Sequence, residues 1–351
     1  MRFFNARYRA RSIASNETRL QTHLVSLFAS ATDSLPLSRG HIFPIFNFPF
    51  SIFHFLCYNL CMKFNSLTST YTLANGNEIP CIGFGTWQSA DGDEAYTAVL
   101  SALKNGYRHI DTAAAYGNEE SVGRAINDFL AQSGTKREEL FITTKLWNDD
   151  HGYDSTKKAI ELSLKKLNLE YLDLYLIHWP NPLKFRDSWE QKNAESWRAM
   201  EEAYGAGKLK AIGVSNFCER HLEALAKTAK IAPMVNQIKI CPGQPQRELC
   251  EYSRNHGMVV EGYSPLGTGG IFSSKEMQEL SKKYGHSIAQ ICVRWSLEEG
   301  CLPLPKSVHE ERIIENAKVF DFELEKSDCD LIAGLTGLEI KQNRNPDEAP
   351  F

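Results

Sequence analysis

The chain is short of the signatures that would name a chemistry outright. Its nine cysteines form no CxxC pair, and none of its ten histidines stands in HxH or HExxH spacing. Those absences argue against a zinc site and leave no ligand set for a metal. No GxSxG elbow offers a serine nucleophile. No complete GxGxxG turn is present: "GFGTWQ" at 83–88 lacks the third glycine, and "GTGG" at 267–270 is too irregular. A basic excess is missing too. The formal net charge is −4 with lysines and arginines spread among acids, so there is no footprint for nucleic acid. An odd number of cysteines at scattered spacings, with Cys81 and Cys292 in apolar surroundings, reads as free thiols in a reducing compartment.

Two further absences set the first 61 residues apart. Residues 1–40 are rich in Arg and Ser and hold only two acids, Glu17 and Asp33. Residues 42–61, "IFPIFNFPFSIFHFLCYNLC", carry no formal charge and are crowded with Phe. Three readings stand. One is a targeting leader, since Arg-rich, acid-poor composition fits such segments. Another is a membrane anchor, because about 20 apolar residues can cross a bilayer. Against the anchor, Pro44, Asn47, Pro49, His54 and Asn59 interrupt the run. The third is an upstream gene-model extension, with the working chain starting at Met62. That third reading is the expectation, with residues 1–61 disordered or dispensable and 62–351 forming one domain. A cytoplasmic monomer with no membrane role goes with it; an organellar or membrane-associated protein goes with the other two.

From residue 71 the chain changes character. "TLANGNEIPCIG" (72–83) reads as a short hairpin turning at Asn75-Gly76. Eight apolar runs follow: "IGFGTW" (82–87), "YRHIDT" (107–112), "LFITTKLW" (140–147), "YLDLYLIHW" (171–179), "KAIGVSN" (210–216), "MVNQIKI" (234–240), "MVVEGYSP" (258–265) and "CLPLPKS" (301–307). Helical periodicity lies between them. "SVGRAINDFLAQSG" (121–134) stops at Gly134, and "STKKAIELSLKKLNL" (155–169), "WRAMEEAYGAGK" (197–208) and "HLEALAKTAKI" (221–231) behave likewise. Near-continuous apolar strands alternating with helices indicate an α/β fold, a (β/α)8 TIM barrel preceded by a short N-terminal β-hairpin. The competing fold is an open doubly wound sheet, which the missing glycine turn disfavours.

A parallel barrel does its chemistry at the C-terminal ends of its strands. Those ends carry Trp87, Asp111 with Tyr116 just beyond, Lys145, His178, Ser215 and Asn216, Gln237, Tyr263 and Lys306. A free phenol has a pKa of about 10, and a neighbouring ammonium lowers it. Asp111 can pair with Lys145, and His178 can hydrogen-bond the oxygen to which a Tyr116 proton would go. The set suits protonation of an oxyanion forming from a carbonyl. Each residue alone has a blander reading: a helix cap for the Asp, a solvated Lys, a packed Tyr, a structural His. Joint placement at one mouth favours the chemical one. A proton donor still needs a hydride source. In "PLPKSVHEERIIENAKVF" (303–320), Lys306 and Ser307 end a strand and Arg312 opens a helix, an arrangement that could hold a phosphate dianion. Glu315 and Asn316 on that helix could hydrogen-bond an adenine. An ordinary amphipathic helix with a solvated charged face remains the alternative.

The stretches "GFGTW", "YRHIDTAAAYGNE", "TTKLW", "LDLYLIHWP", "KAIGVSNF", "NQI", "YSPLG" and "LPKSVHEERIIEN" occur in order. In these, the chain from about residue 70 to 351 resembles the aldo-keto reductases, NADP-dependent barrel oxidoreductases. The resemblance implies an NADPH-dependent reduction of aldehydes or ketones. It maps the family's catalytic tetrad onto Asp111, Tyr116, Lys145 and His178. It maps carboxamide contacts onto Ser215, Asn216 and Gln237, the nicotinamide-stacking ring onto Tyr263, and pyrophosphate contacts onto Ser264, Leu266 and Gly267. The 2′-phosphate and adenine contacts fall on Lys306, Ser307, Arg312, Glu315 and Asn316, and the substrate pocket on Trp87, Trp147 and Trp179. The short tail "NRNPDEAPF" resembles the microbial branch that includes diketogluconate reductases. One departure stands out: "NQIKICPGQPQ" carries Lys239 and Cys241 where the family often has an acid and a histidine. A non-catalytic cofactor-binding subunit of the same fold is the other class left open.

Overall fold

The computed structural model describes residues 64–340 and 344–351. The expectations for residues 1–61 lie outside them. Strands β1 (Thr70–Thr72) and β2 (Glu78–Pro80) pair antiparallel. Gly76, at φ +85°, makes the expected turn, and Asn75 Oδ1 accepts from Asn77 N–H at 3.0 Å. Asn75 and Asn77 each donate to the Lys210 carbonyl at 2.9 Å, tying the hairpin to the N-terminal end of the barrel.

The barrel strands are β3 (Phe84–Gly85), β4 (His109–Asp111), β5 (Phe141–Leu146), β6 (Leu174–Ile177), β7 (Ile212–Ser215), β8 (Val235–Lys239), β9 (Val259–Tyr263) and β10 (Leu302–Leu304). All pair parallel in chain order, and each falls inside one of the eight expected runs. Closure comes from the flanks of β3: Gly83 and Gly85 N–H donate to the Pro303 and Pro305 carbonyls at 3.1 and 3.0 Å. A Cβ on Gly83 would lie 2.5 Å from Leu304 Cδ2 and 2.6 Å from His109 Nδ1, so a larger residue would wedge this seam open.

Helices α1 (Asp93–Lys104), α2 (Glu119–Ser133), α3 (Tyr153–Leu167), α4 (Trp189–Gly205), α5 (Glu219–Ala226) and α6 (Arg247–Asn255) follow β3 to β8 one by one. Two helices, α7 (Lys275–Tyr284) and α8 (Ile288–Glu298), separate β9 from β10; α9 (Glu310–Ala317) and α10 (Lys326–Ala333) come last. As expected, α2 ends at Gly134 in the left-handed conformation. Two helix limits differ from the sequence reading. Helix α4 starts at Trp189 rather than near 197. Helix α5 stops at Ala226 rather than near 231, because the N–H groups of Lys230 and Ile231 are taken by the Glu201 carboxylate. Among the described residues, no helix is long and apolar enough to cross a membrane.

Candidate active site

The stretch "HIDTAAAYGNEE" builds the centre of the site. Strand β4 ends on Asp111, a 3-10 turn spans Ala114–Tyr116, and Gly117 closes it at φ +69°. The loop is pinned by Asn118, which is fully buried. Asn118 accepts from Thr112 Oγ1 at 2.9 Å and donates to the carbonyls of Thr86 and Ser89, both at 3.0 Å. Tyr116 is thereby held over β5. There, Lys145 Nζ donates to Asp111 Oδ1 at 2.7 Å, to the Thr112 carbonyl at 2.9 Å and to Tyr116 Oη at 3.3 Å. Lys145 is wholly buried, so this ion pair is kept by its hydrogen bonds. His178 closes the group, its ring edge-on to Tyr116 (5.8 Å between centroids) and to Trp147 (5.4 Å).

The electrostatics differ from the simplest sequence expectation. Burial is the largest influence on Tyr116 and raises its pKa, with Asp111 adding to it. Lys145 opposes this without reversing it. The phenol is therefore a protonated group pressed against a cation, not a preformed phenolate. For Lys145, burial acts against the ammonium, but Asp111 and Tyr116 together outweigh it and the pKa rises. His178 is pushed well below its ordinary value by burial, then by Lys145 and His151, so it is a neutral imidazole.

Ser215, Asn216, Gln237 and Tyr263 lie at or beside strand ends at the same mouth. Asn216 donates to the His178 carbonyl at 3.0 Å and accepts from Tyr263 Oη at 2.8 Å, joining the loops after β6 and β7 to the end of β9. Ser215 Oγ donates to the Gln237 carbonyl at 2.9 Å. Gln88, Asn216 and Ser264, in the loops after β3, β7 and β9, hold positive φ values of 61°, 61° and 54°. Non-glycine residues pay strain for that conformation, and such residues cluster at functional sites. Leu266 and Gly267 continue the loop after Ser264. Beyond β10, Lys306 Nζ donates to the Gln88 carbonyl at 3.1 Å, and Ser307 Oγ accepts from His309 N–H at 3.0 Å. Arg312 lies exposed in the first turn of α9, its side chain in no hydrogen bond or ion pair among the described residues; Glu315 is half-buried and Asn316 buried on the same helix. Trp147 and Trp179 lie together near His178, while Trp87 is exposed after β3. Lys239 ends β8 and Cys241 is buried beyond it, and the Gln237 side chain keeps its place in the site.

The family model of the aldo/keto reductase family matches residues 81–336. The chain belongs to that family. It is 48% identical to a glyoxal reductase of Bacillus subtilis (strain 168) over 82% of this chain and 99% of that protein. It is 45% identical to the methylglyoxal reductase DkgA of Escherichia coli (strain K12) over 75% of this chain and 92% of that protein. Among solved structures, a Bombyx mori aldo-keto reductase in complex with NADP aligns with TM-score 0.70 and 37% identity, covering 76% of this chain and 92% of that one.

Sequence reasoning missed two parts of this aldo/keto reductase site. One is the segment 344–351. Phe351 packs on Trp179 (5.1 Å between centroids) and Trp147 (5.7 Å), and Asp347 accepts from Asn181 Nδ2 at 2.9 Å and Arg220 Nε at 2.8 Å. The other is a buried polar row beneath the tetrad. Gln237 Nε2 donates to Asp111 Oδ2 at 2.9 Å and to Glu261 Oε2 at 2.8 Å. Glu261 Oε1 then lies 3.7 Å from His109 Nε2, which is 3.0 Å from Thr143 Oγ1. A lone acid inside the apolar run "MVVEGYSP" was the available signal.

Burial pushes the Glu261 carboxyl up to about 8 from an ordinary 4.5; Asp111 adds to that, while the Gln237 hydrogen bond and Lys145 oppose it. A raised carboxyl pKa means the folded state binds the proton more tightly than the unfolded one. The protonated acid's stabilising contribution is complete below about 4.5 and is lost as pH rises towards about 8. The unfolding midpoint of wild type should therefore fall relative to Glu261→Gln across that window, as read by thermal melts in a pH series. Parallel curves would show that Glu261 does not titrate there.

Proposed function

We propose that this chain reduces small aldehydes and ketones to alcohols with NADPH, reactive α-dicarbonyls of the glyoxal type among them. The observation that carries the reading is Lys145 Nζ bridging Asp111 and Tyr116 beside a neutral His178. Tyr116 gives its proton to the substrate oxygen as negative charge grows there. The phenolate left behind faces Lys145, whose ammonium is fixed by Asp111 and the Thr112 carbonyl. His178 offers a neutral N–H to the same oxygen and orients the carbonyl.

The residues present fit NADPH. When bound, it supplies the hydride. Ser215, Asn216 and Gln237 offer donors and acceptors for a carboxamide at the mouth, and the Tyr263 ring, fixed by its bond to Asn216, offers a face. Ser264, Leu266 and Gly267 suit the pyrophosphate, Lys306, Ser307 and Arg312 the 2′-phosphate, and Glu315 and Asn316 the adenine. Trp87, Trp147 and Trp179 wall the substrate side, with Phe351 against the latter two. The relatives named for glyoxal and methylglyoxal support a small, polar carbonyl substrate. The intact Asp111–Lys145–Tyr116 contact disfavours a non-catalytic subunit.

The test is loss of NADPH absorbance with methylglyoxal and with 4-nitrobenzaldehyde, using the full chain. Turnover of either is expected, and turnover of neither would overturn the proposal. A chain starting at Met62 should match the full chain in activity. Activity found only in the full chain would place residues 1–61 in the working enzyme.

A further inference from the structure

We propose that Glu261 is a positioning residue of this site, acting through Gln237 to fix which end of its amide faces the mouth of the barrel. The inference rests on the NADPH reading above. An amide nitrogen carries two hydrogens, and Gln237 Nε2 gives one to Asp111 Oδ2 at 2.9 Å and the other to Glu261 Oε2 at 2.8 Å. Gln237 Oε1 enters no hydrogen bond among the described residues. A flipped amide would set that oxygen against the Asp111 carboxylate and leave that acceptor without its donor.

Asp111 alone would satisfy one hydrogen and leave the other buried and unpaired, since Gln237 is 2% exposed. Glu261 supplies the second point. It is wholly buried in β9, on the strand next to Gln237, where the register sets Gln237 directly beside Glu261. Its second oxygen faces His109 Nε2 at 3.7 Å, and His109 is neutral because burial, then Lys145, hold its pKa down at about 3. With Asp111 and Lys145 already paired, a second carboxylate would leave an uncompensated charge in the barrel, so Glu261 serves as an uncharged acceptor. The consequence for binding is specific. With both hydrogens of Gln237 engaged, its carbonyl oxygen is left to accept an N–H from the nicotinamide carboxamide. The adenine end of the cofactor is untouched by this row.

The experiment compares full-length wild type, Glu261→Gln, Glu261→Met, Gln237→Met and the double variant Glu261→Met/Gln237→Met. Fluorescence titration measures NADPH and adenosine 2′,5′-bisphosphate, a ligand without the nicotinamide. Glu261→Gln keeps an uncharged acceptor of the same shape and should bind NADPH within about threefold of wild type. Glu261→Met should weaken NADPH by about 5- to 20-fold and leave the bisphosphate unchanged. The double variant should be no weaker than Gln237→Met, because the two residues act as one unit. Glu261→Thr, too short to reach Gln237, reads the same quantity if Glu261→Met does not fold. Wild-type NADPH binding by Glu261→Met or Glu261→Thr, equal losses for both ligands, or a folded Glu261→Gln that loses binding would each overturn the inference. Failure of wild type to bind NADPH would instead overturn the function on which it rests.

Discussion

Tyr116→Phe should keep NADPH binding and lose about 10²–10⁴ in turnover, the usual worth of a positioned general acid. The substitution removes one oxygen. Among the described residues that oxygen hydrogen-bonds only to Lys145 Nζ, at 3.3 Å, and the ammonium keeps its shorter bonds to Asp111 and the Thr112 carbonyl. The buried ion pair stays intact, so the fold should lose no more than about 1 kcal/mol. Removing Lys145 instead would leave a buried carboxylate without its partner, at a cost of about 3–5 kcal/mol. It would confuse lost chemistry with lost structure. The phenol is the clean test. Steady-state rates with methylglyoxal and NADPH, beside a thermal melt, measure both quantities. Near-normal turnover in a stable Tyr116→Phe protein would remove the tyrosine from the mechanism and leave His178 to be tested as the donor.

Asp111, Tyr116, Lys145 and His178 were legible because a parallel barrel turns sequence order into spatial order. Strands buried on both faces read as continuous apolar runs, and a polar residue at the end of such a run must lie at the mouth. All eight runs became strands, although the strands are shorter than the runs. "YLDLYLIHW" supplies only Leu174–Ile177 to the sheet, and its last residues turn into the loop that carries His178 and Trp179. The local stretch 303–320 suggested Lys306, Ser307, Arg312, Glu315 and Asn316, and the other cofactor residues were read through the family resemblance, since no spacing rule alone joins Ser215, Gln237 and Tyr263.

What stayed hidden had at most a weak local signal. Helix α8 is buried along Ala289–Leu297 without a break, so its polar residues Gln290 and Arg294 lie inside and mark no solvent-facing side. Asn181 and Asp347 meet across 166 residues of sequence, and nothing near either one announces the other. Glu261 is a lone acid within an apolar run, and only its neighbours on β4 and β8 show why an acid is tolerated there. The direction of the Tyr116 shift was missed for a related reason. Lys145 is visible in the sequence, but the burial that outweighs it is a property of the folded mouth.

The cofactor preference should be NADPH over NADH, and Arg312 should carry much of it. Only NADPH has a 2′-phosphate, a dianion that must be met by cations or by water. Arg312 stands exposed in the first turn of α9, with no partner among the described residues to compete for it. Lys306 stands nearer the barrel, where burial lowers its pKa and the Gln88 carbonyl holds its Nζ. The fold therefore needs Lys306 more than Arg312. Arg312→Ala should leave the thermal midpoint unchanged, because an exposed, unpaired side chain contributes little to stability. A hydrogen bond to a charged group is worth about 1.5–3 kcal/mol, so the variant should bind NADPH about 10- to 150-fold more weakly. NADH binding should hardly change, since NADH gives that guanidinium nothing to hold. The wild-type preference should also shrink as salt rises, because the contact is exposed to screening. Fluorescence titrations of both proteins with both cofactors measure all of this. Equal losses for the two cofactors would make Arg312 structural, and a wild-type preference for NADH would move the 2′-phosphate away from this helix.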